Sequence, residues 1–235
     1  MMLASLRAQV LDANLELVRR GLVVDTFGNA SGIDREKGLV VIKPSGVPYE
    51  NIKPKDLVIA GLDGCVVEGK LKPSSDLPTH IALYRAFSQI GGVAHTHSRH
   101  ATAWAQAQRE IPCLGTTHAD YFRGAIPVTG SLQPEEIASK YEWNTGQAIV
   151  RRFNGMDPMS MRAVLVAGHA PFCWADSPLE AAHLAWMLEE VAQMALMTLA
   201  IHPAAKPISD ALRDTHFLRK HGPSASYGQP KKKRA

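Results

Sequence analysis

The sequence of 235 residues predicts an α/β fold in which helices pack against a mixed sheet. Segments with helical periodicity are interspersed with short β-branched runs along the chain. Asp63-Gly64 separates two such runs, residues 57–60 and 65–67, and is a hairpin signal, so part of the sheet is antiparallel. Apolar residues make up 46% of the chain, enough for one sizeable core, and we expect a single domain over residues 1–229.

The first third of the chain is expected to begin with a helix over residues 3–20, closed by Gly21. Strands are predicted over residues 22–24 and 38–42. The intervening residues 27–32, Phe-Gly-Asn-Ala-Ser-Gly, are interpreted as a polar turn. The next helix is expected from Pro78, which suits a first helical turn, through Phe87.

The remaining elements are predicted from the same patterns. A strand is expected at Val93-Ala94, helices over residues 101–107, 134–153 and 216–222, and a further strand over residues 162–166. Ser177-Pro178-Leu179-Glu180 is a capping-box sequence at the start of a long helix that ends before Pro203. The stretch 181–201 is long enough for a membrane, but Glu189 and Glu190 interrupt it and favour a buried helix.

Charge and cysteine content exclude several classes of protein. The net charge is +4, but four positive charges lie in residues 231–234, and we expect residues 230–235 to be a disordered tail. No other basic cluster indicates nucleic acid binding. The three scattered cysteines form no disulfide framework, and the N-terminus has no signal-peptide pattern. We therefore expect a cytoplasmic protein without a membrane or nucleic acid partner.

His95 and His97 are the first candidate metal ligands. Residues i and i+2 of a strand face the same side about 7 Å apart, so two imidazoles there can bind one ion. Two partly exposed histidines on an edge strand are the alternative. His169 comes directly after a strand and is a plausible third ligand or a buried, hydrogen-bonded histidine. Asp76 is either a carboxylate near the metal or the N-cap of a helix, and its spacing favours the N-cap. This donor set suits Zn²⁺ or another divalent ion.

Three polar loops together suggest a phosphate site. Small residues allow close approach, hydroxyl and amide groups donate hydrogen bonds, and a lysine supplies charge. Each loop is a weak signal alone. The residues are Gly28 and Asn29, then Lys43, Ser45 and Gly46, then Ser74 and Ser75. A metal beside phosphate donors indicates a small phosphorylated substrate, such as a sugar phosphate.

Taken in order, these motifs resemble the epimerases of the class II aldolase/adducin family. The resemblance extends to about Gln229 and rests on residues 28–31, 43–46, 72–76, 95–102, 116–121, 141–143, 216–222 and 227–229. The neighbourhood of the third histidine, Ala167-Gly168-His169-Ala170, departs from the usual family pattern. The basic tail also lies outside it.

The resemblance implies a three-layer α/β/α fold with a largely antiparallel central sheet, and a homotetramer with sites between subunits. It implies C4 epimerisation of a ketopentose 5-phosphate by C3–C4 cleavage. The implied zinc ligands are His95, His97 and His169, with Asp76 beside the metal. The implied substrate contacts are Gly28, Asn29, Ser45, Gly46, Ser74 and Ser75, with Glu142 and His216 at secondary positions. The implied proton donors and acceptors are Asp120 and Tyr227, the latter reaching into a neighbouring subunit.

Two rival functions remain. A class II aldolase shares the fold and the cleavage step, but those enzymes carry Glu where Asp76 stands. A non-catalytic module of the adducin type has no need of metal-binding histidines, and all three are present here.

Overall fold

The computed structural model describes residues 2–222 and 225–226. Within these residues the strands are β1 Asn29–Asp34, β2 Leu39–Ile42, β3 Val58–Gly61, β4 Val66–Glu68, β5 Gly92–His95, β6 Ala163–Leu165 and β7 Pro171–Ala175. The α-helices are α1 Ala4–Arg19, α2 Leu77–Ala86, α3 Arg99–Gln106, α4 Thr116–Ala119, α5 Pro134–Ala138, α6 Tyr141–Arg152, α7 Pro178–Ile201 and α8 Asp210–His221. Short 3₁₀ helices lie at Tyr49–Asn51 and Pro54–Asp56.

The strands form one sheet in the order β4-β3-β2-β1-β5-β7-β6. Each neighbouring pair of these strands is antiparallel. An isolated parallel bridge joins Val128 to Leu165 beside the last strand. The hairpin at Asp63-Gly64 joins β3 to β4, so the largely antiparallel sheet expected from the sequence is confirmed.

Helices cover both faces of the sheet, and β1 shows how its residues divide between them. A Cβ on Gly32 would lie 2.8 Å from Leu6 of α1, so this side of the strand faces α1. Ser31 points the other way, and its hydroxyl hydrogen-bonds with His80 and Tyr84 of α2 at 2.7 and 2.8 Å. Helix α7 packs beside α1, and α6 packs on α2. The three-layer arrangement is therefore confirmed.

Helix α7 is long and apolar enough to cross a membrane by length and composition. In the fold it packs against β5, β7 and α1, and Leu184, Leu188 and Val191 are buried. The Ser177 hydroxyl accepts the Glu180 N–H at 3.3 Å, as the capping sequence predicts. The first two thirds of α7 thus pack in the protein core, whereas the apolar side chains of Met194, Leu196, Met197 and Ile201 toward its end are exposed.

Three sequence predictions of secondary structure are wrong, and one strand was not predicted. Residues 22–24 form no strand, only a bridge between Val24 and Phe27. Residues 29–32 of the supposed polar turn instead begin β1, where Asn29 Nδ2 donates to Asp76 and the Ser31 hydroxyl bonds His80. The helix predicted over 134–153 is two helices, α5 and α6, separated by Ser139-Lys140. Strand β7 is absent from the sequence predictions, because its short apolar run, residues 172–175, does not alternate with polar residues.

Candidate metal and phosphate site

Three imidazoles converge at one end of the sheet. His95 is the last residue of β5, and His97 lies two residues beyond it, so that their Nε2 atoms lie 3.2 Å apart. His169 lies in the turn between β6 and β7, where its N–H donates to the Val166 carbonyl at 3.0 Å. One ligand nitrogen from each of the three histidines lies within 4.8 Å of the other two. The structure therefore brings together the three residues that the sequence nominates as metal ligands.

Their surroundings fix the orientation of the rings. His95 Nδ1 lies 2.9 Å from the Pro171 carbonyl oxygen. Because a carbonyl can only accept, Nδ1 is the donor, and the lone pair of Nε2 therefore faces the cluster. The His95 ring also stacks on Phe172 at 4.1 Å. His169 Nδ1 is buried without a hydrogen-bond partner in the described chain. Burial, with the neighbouring imidazoles, lowers the pKa of His169 to about 4. Three imidazoles that converge in this way fit a divalent cation.

Asp76 faces the same cavity. It occupies the N-cap position of α2 but makes no side-chain capping hydrogen bond, so the capping role favoured by its spacing is wrong. Instead its Oδ2 accepts from Asn29 Nδ2 at 2.6 Å. Burial raises the pKa of Asp76, but the imidazoles of His95 and His80 and the Asn29 hydrogen bond outweigh burial, and the pKa lies below its usual range. Asp76 is thus a carboxylate at neutral pH that lines the same cavity as the three histidines.

A cavity of about 360 Å³ joins the histidines to the polar loops. The predicted residues that line it are Gly28, Asn29, Lys43, Ser45, Gly46, Ser74, Ser75, Asp76, His95, His97, Glu142 and His169. Two backbone hydrogen bonds hold two of the loops together, from the Ser45 N–H to Lys72 at 2.9 Å and from the Ser74 N–H to Lys43 at 3.0 Å. The loops therefore converge as the phosphate hypothesis requires.

Lys43 gives the cavity its positive charge. It is 2% exposed, and its Nζ lies 3.4 Å from the Pro44 carbonyl and 4.5 Å from the centre of the Tyr49 ring. It forms no ion pair with a carboxylate of the described residues, and burial lowers the pKa of its ammonium group. Asn29 Oδ1 is also buried without a partner in the same part of the chain. A buried cation of this kind fits an anionic ligand.

The sequence reasoning missed four residues that line the cavity: Thr26, Phe27, Pro44 and Tyr141. The ring centres of Phe27 and His97 lie 5.7 Å apart, and those of Tyr141 and His169 lie 6.1 Å apart. Phe27 lies in the predicted polar turn and Tyr141 in the motif over residues 141–143, so their place next to assigned site residues was the available signal.

Asp120 and His216 lie outside this cavity. Asp120 comes directly after α4, and its carboxylate contacts α8 through His216 Nδ1 at 3.1 Å, Arg219 at 3.0 Å and Lys220 at 3.6 Å. Burial raises the pKa of Asp120, but the hydrogen bonds from Arg219 and His216 outweigh it, and the pKa lies below its usual range. Tyr227 and the basic tail over 230–235 lie outside the described residues.

Known proteins resemble nearly the whole chain. L-ribulose-5-phosphate 4-epimerase UlaF of Salmonella paratyphi B is 54% identical over 224 residues, covering 95% of this chain and 98% of that protein. The protein of the same name from Salmonella typhi matches at the same identity and coverage.

Solved structures share the fold. An L-fuculose 1-phosphate aldolase superposes with a TM-score of 0.79 at 24% identity, covering 92% of this chain and 96% of the other. The L-fuculose-1-phosphate aldolase of Thermus thermophilus has a TM-score of 0.67 at 26% identity, covering 87% and 100%. The sequence profile described as Class II Aldolase and Adducin N-terminal domain matches residues 8–196. This chain therefore belongs to the class II aldolase and adducin family.

Proposed function

We propose that this chain is an L-ribulose-5-phosphate 4-epimerase, which interconverts L-ribulose 5-phosphate and D-xylulose 5-phosphate. The observation that carries the proposal is the single cavity in which a three-histidine cluster faces a buried lysine without a carboxylate partner in the described chain. The 54% identity to a curated epimerase of that name supports the choice of substrate.

The chemistry of the substrate explains why both halves of the cavity are needed. The C4 hydrogen is β to the ketone, so simple deprotonation at C4 cannot invert that centre. Breaking the C3–C4 bond is feasible because its electron pair enters the ketone as an enediolate. A divalent cation, which we propose is Zn²⁺ held by His95, His97 and His169, would supply Lewis-acid stabilisation of this negative charge. Asp76 adds a carboxylate beside the cluster.

The chain's own residues hold the second fragment, glycolaldehyde phosphate. Lys43, Asn29 and Ser74 converge on one side of the cavity, where an ammonium, an amide and a hydroxyl group suit a phosphate. The neighbouring Ser45, Gly46, Ser75 and Gly28 complete the proposed contacts. A fragment held by its phosphate keeps its carbonyl end free to turn before C3–C4 forms again.

Re-addition to either face of the aldehyde requires a proton partner on each side of the C4 oxygen. We assign these roles to Asp120 and Tyr227. Asp120 does not line the cavity of its own chain, so we place these two residues, with His216, at the site of a neighbouring subunit in a homotetramer. Asp120 is a carboxylate at neutral pH and so is able to accept a proton.

The main rival is an aldolase that releases both fragments, because the fold is shared with L-fuculose 1-phosphate aldolase. The shorter carboxylate of Asp76 favours the epimerase. A non-catalytic adducin-type module is disfavoured because it has no use for the three converged histidines. The epimerase would act in the cytoplasm in pentose breakdown, such as L-arabinose catabolism.

Product analysis separates these functions. Purified protein, stripped of metal and then reloaded with zinc, is incubated with L-ribulose 5-phosphate or with L-fuculose 1-phosphate. The proposal predicts zinc-dependent formation of D-xylulose 5-phosphate and little cleavage of the fuculose compound. Rapid cleavage of L-fuculose 1-phosphate without formation of D-xylulose 5-phosphate would establish the aldolase instead.

A further inference from the structure

Phe27 is a large apolar side chain at the mouth of the cavity. It is 56% exposed, and its ring centre lies 5.7 Å from that of His97. Polar side chains such as Asn29, Lys43 and Asp76 line other positions of the cavity wall. Covering an exposed phenyl ring with a ligand is favourable, because this removes apolar surface from water. Its position beside the metal cluster places that surface next to the reacting end of a bound substrate.

A short, anchored turn carries this ring. The Phe27 N–H donates to the Val24 carbonyl at 3.0 Å, and Asp25 between them has a left-handed φ of 54°. Gly28 comes next with φ of +98°, and its carbonyl accepts the Tyr49 hydroxyl at 2.6 Å. The base of the turn is therefore tied to the fold, while Val24 and Asp25 face solvent. Phe27 is thus presented at the cavity mouth by a defined backbone.

The proposed reaction needs a wall of this kind. Breaking C3–C4 places its electron pair in the enediolate of dihydroxyacetone, and the C4 hydroxyl proton passes to a base. An aldolase then releases the aldehyde, whereas an epimerase keeps it while the carbonyl turns to present its other face. Hydrogen bonds are directional and would fix one orientation of the carbonyl. An apolar surface has no directional preference, so it blocks escape and still permits rotation.

We infer that Phe27 is the specificity-determining residue that retains glycolaldehyde phosphate between cleavage and re-addition. This inference rests on the epimerase function proposed above. The ring also keeps water from the enediolate, since protonation of its C3 carbon would release dihydroxyacetone and complete an aldol cleavage. Phe27 therefore decides how cleaved substrate divides between epimer and free fragments.

The test measures this division in three variants. Wild type, Phe27→Ala, Phe27→Leu and Val24→Ala are each incubated with L-ribulose 5-phosphate and zinc, and free glycolaldehyde phosphate is measured against D-xylulose 5-phosphate. Apolar contacts in a pocket change discrimination by about 10- to 200-fold. We expect Phe27→Ala to raise the ratio of free fragment to epimer at least about tenfold, and Phe27→Leu to give an intermediate ratio. Val24→Ala removes an exposed apolar side chain from the same turn outside the cavity, and its ratio should stay within about twofold of wild type.

Two results would overturn the inference. The first is a Phe27→Ala ratio equal to that of wild type, even if total turnover falls, because the ring would then affect binding alone. The second is an equal rise in Val24→Ala, which would assign the effect to the turn and not to the ring. A wild-type protein that forms no D-xylulose 5-phosphate is a different result: it refutes the proposed function and removes the basis of the inference with it.

Discussion

Replacing Lys43 by Met removes the buried charge and keeps an unbranched side chain in its place. Lys43 is 2% exposed, and its Nζ has the Pro44 carbonyl at 3.4 Å as a hydrogen-bond acceptor. In the proposed complex this ammonium binds the substrate phosphate. A hydrogen bond to a charged group contributes about 1.5–3 kcal/mol. At about 1.4 kcal/mol for each factor of ten, kcat/KM should fall about 10- to 150-fold.

The same substitution should stabilise the ligand-free protein. Folding desolvates the ammonium without pairing it to a carboxylate of the described chain, and burial holds the pKa of Lys43 below its ordinary value of 10.5. At pH values between that lowered pKa and 10.5, the unfolded chain binds more protons than the folded chain. The free energy of unfolding of the wild type therefore rises with pH in this range. The advantage of Lys43→Met should therefore be largest at neutral pH and shrink as the pH approaches 10.5.

Steady-state kinetics and urea unfolding measure the two effects. Lys72→Met is the matched control, because it removes the same charge from an exposed side chain outside the cavity. A Lys43→Met protein with kcat/KM within about twofold of wild type would refute the phosphate role. A variant less stable than wild type at neutral pH would refute the reasoning about its buried charge.

Three further substitutions test other parts of the structure. His97→Ala should lose bound zinc and turnover, measured by metal analysis and product assay. Replacement of the exposed His202 by Ala is the control and should keep both. Full zinc occupancy in His97→Ala would refute the assignment of His97 as a metal ligand. Asp120→Asn should lower kcat by about 10²- to 10⁴-fold with zinc content unchanged; wild-type kcat would exclude it from proton transfer. A Cβ at residue 92 would lie 2.4 Å from the backbone that begins α7, so Gly92→Ala should lower the free energy of unfolding by about 1–3 kcal/mol or more in urea titration. Gly115→Ala, with open space around its Cβ, is its control, and equal stability of the two variants would contradict this packing argument.

The sequence predicted most of the residues that line the cavity, but it did not predict the local structure around Asn29. Small and polar residues near Asn29 were interpreted as a turn, yet they form β1. A turn-like composition is compatible with a strand when its polar groups find distant partners: the Asn29 amide nitrogen donates to Asp76, and the Ser31 hydroxyl bonds His80. Those partners lie 47 and 49 residues further along the chain. Local patterns contain no information about them.

The burial and hydrogen bonding of individual side chains also could not be predicted from the sequence. A lysine in a polar loop is normally solvated, and only the packing around Tyr49 shows that Lys43 is buried. Likewise, spacing favoured Asp76 as a helix cap, whereas its carboxylate turns to Asn29. The histidine cluster was predictable because strand ends fix the positions of His95 and His169. The placement of Asp120 away from the cavity results from its packing against α8, which depends on contacts about 100 residues distant in the chain.

The most direct test of C3–C4 cleavage at the three-histidine centre is the reaction run in D₂O. Zinc-loaded protein is incubated with L-ribulose 5-phosphate, and D-xylulose 5-phosphate is analysed by NMR for deuterium at C4. Because cleavage and re-addition never break the C4–H bond, the account predicts an inverted C4 that retains its original hydrogen. Deuterium at C4 of the product, or no D-xylulose 5-phosphate at all, would contradict it.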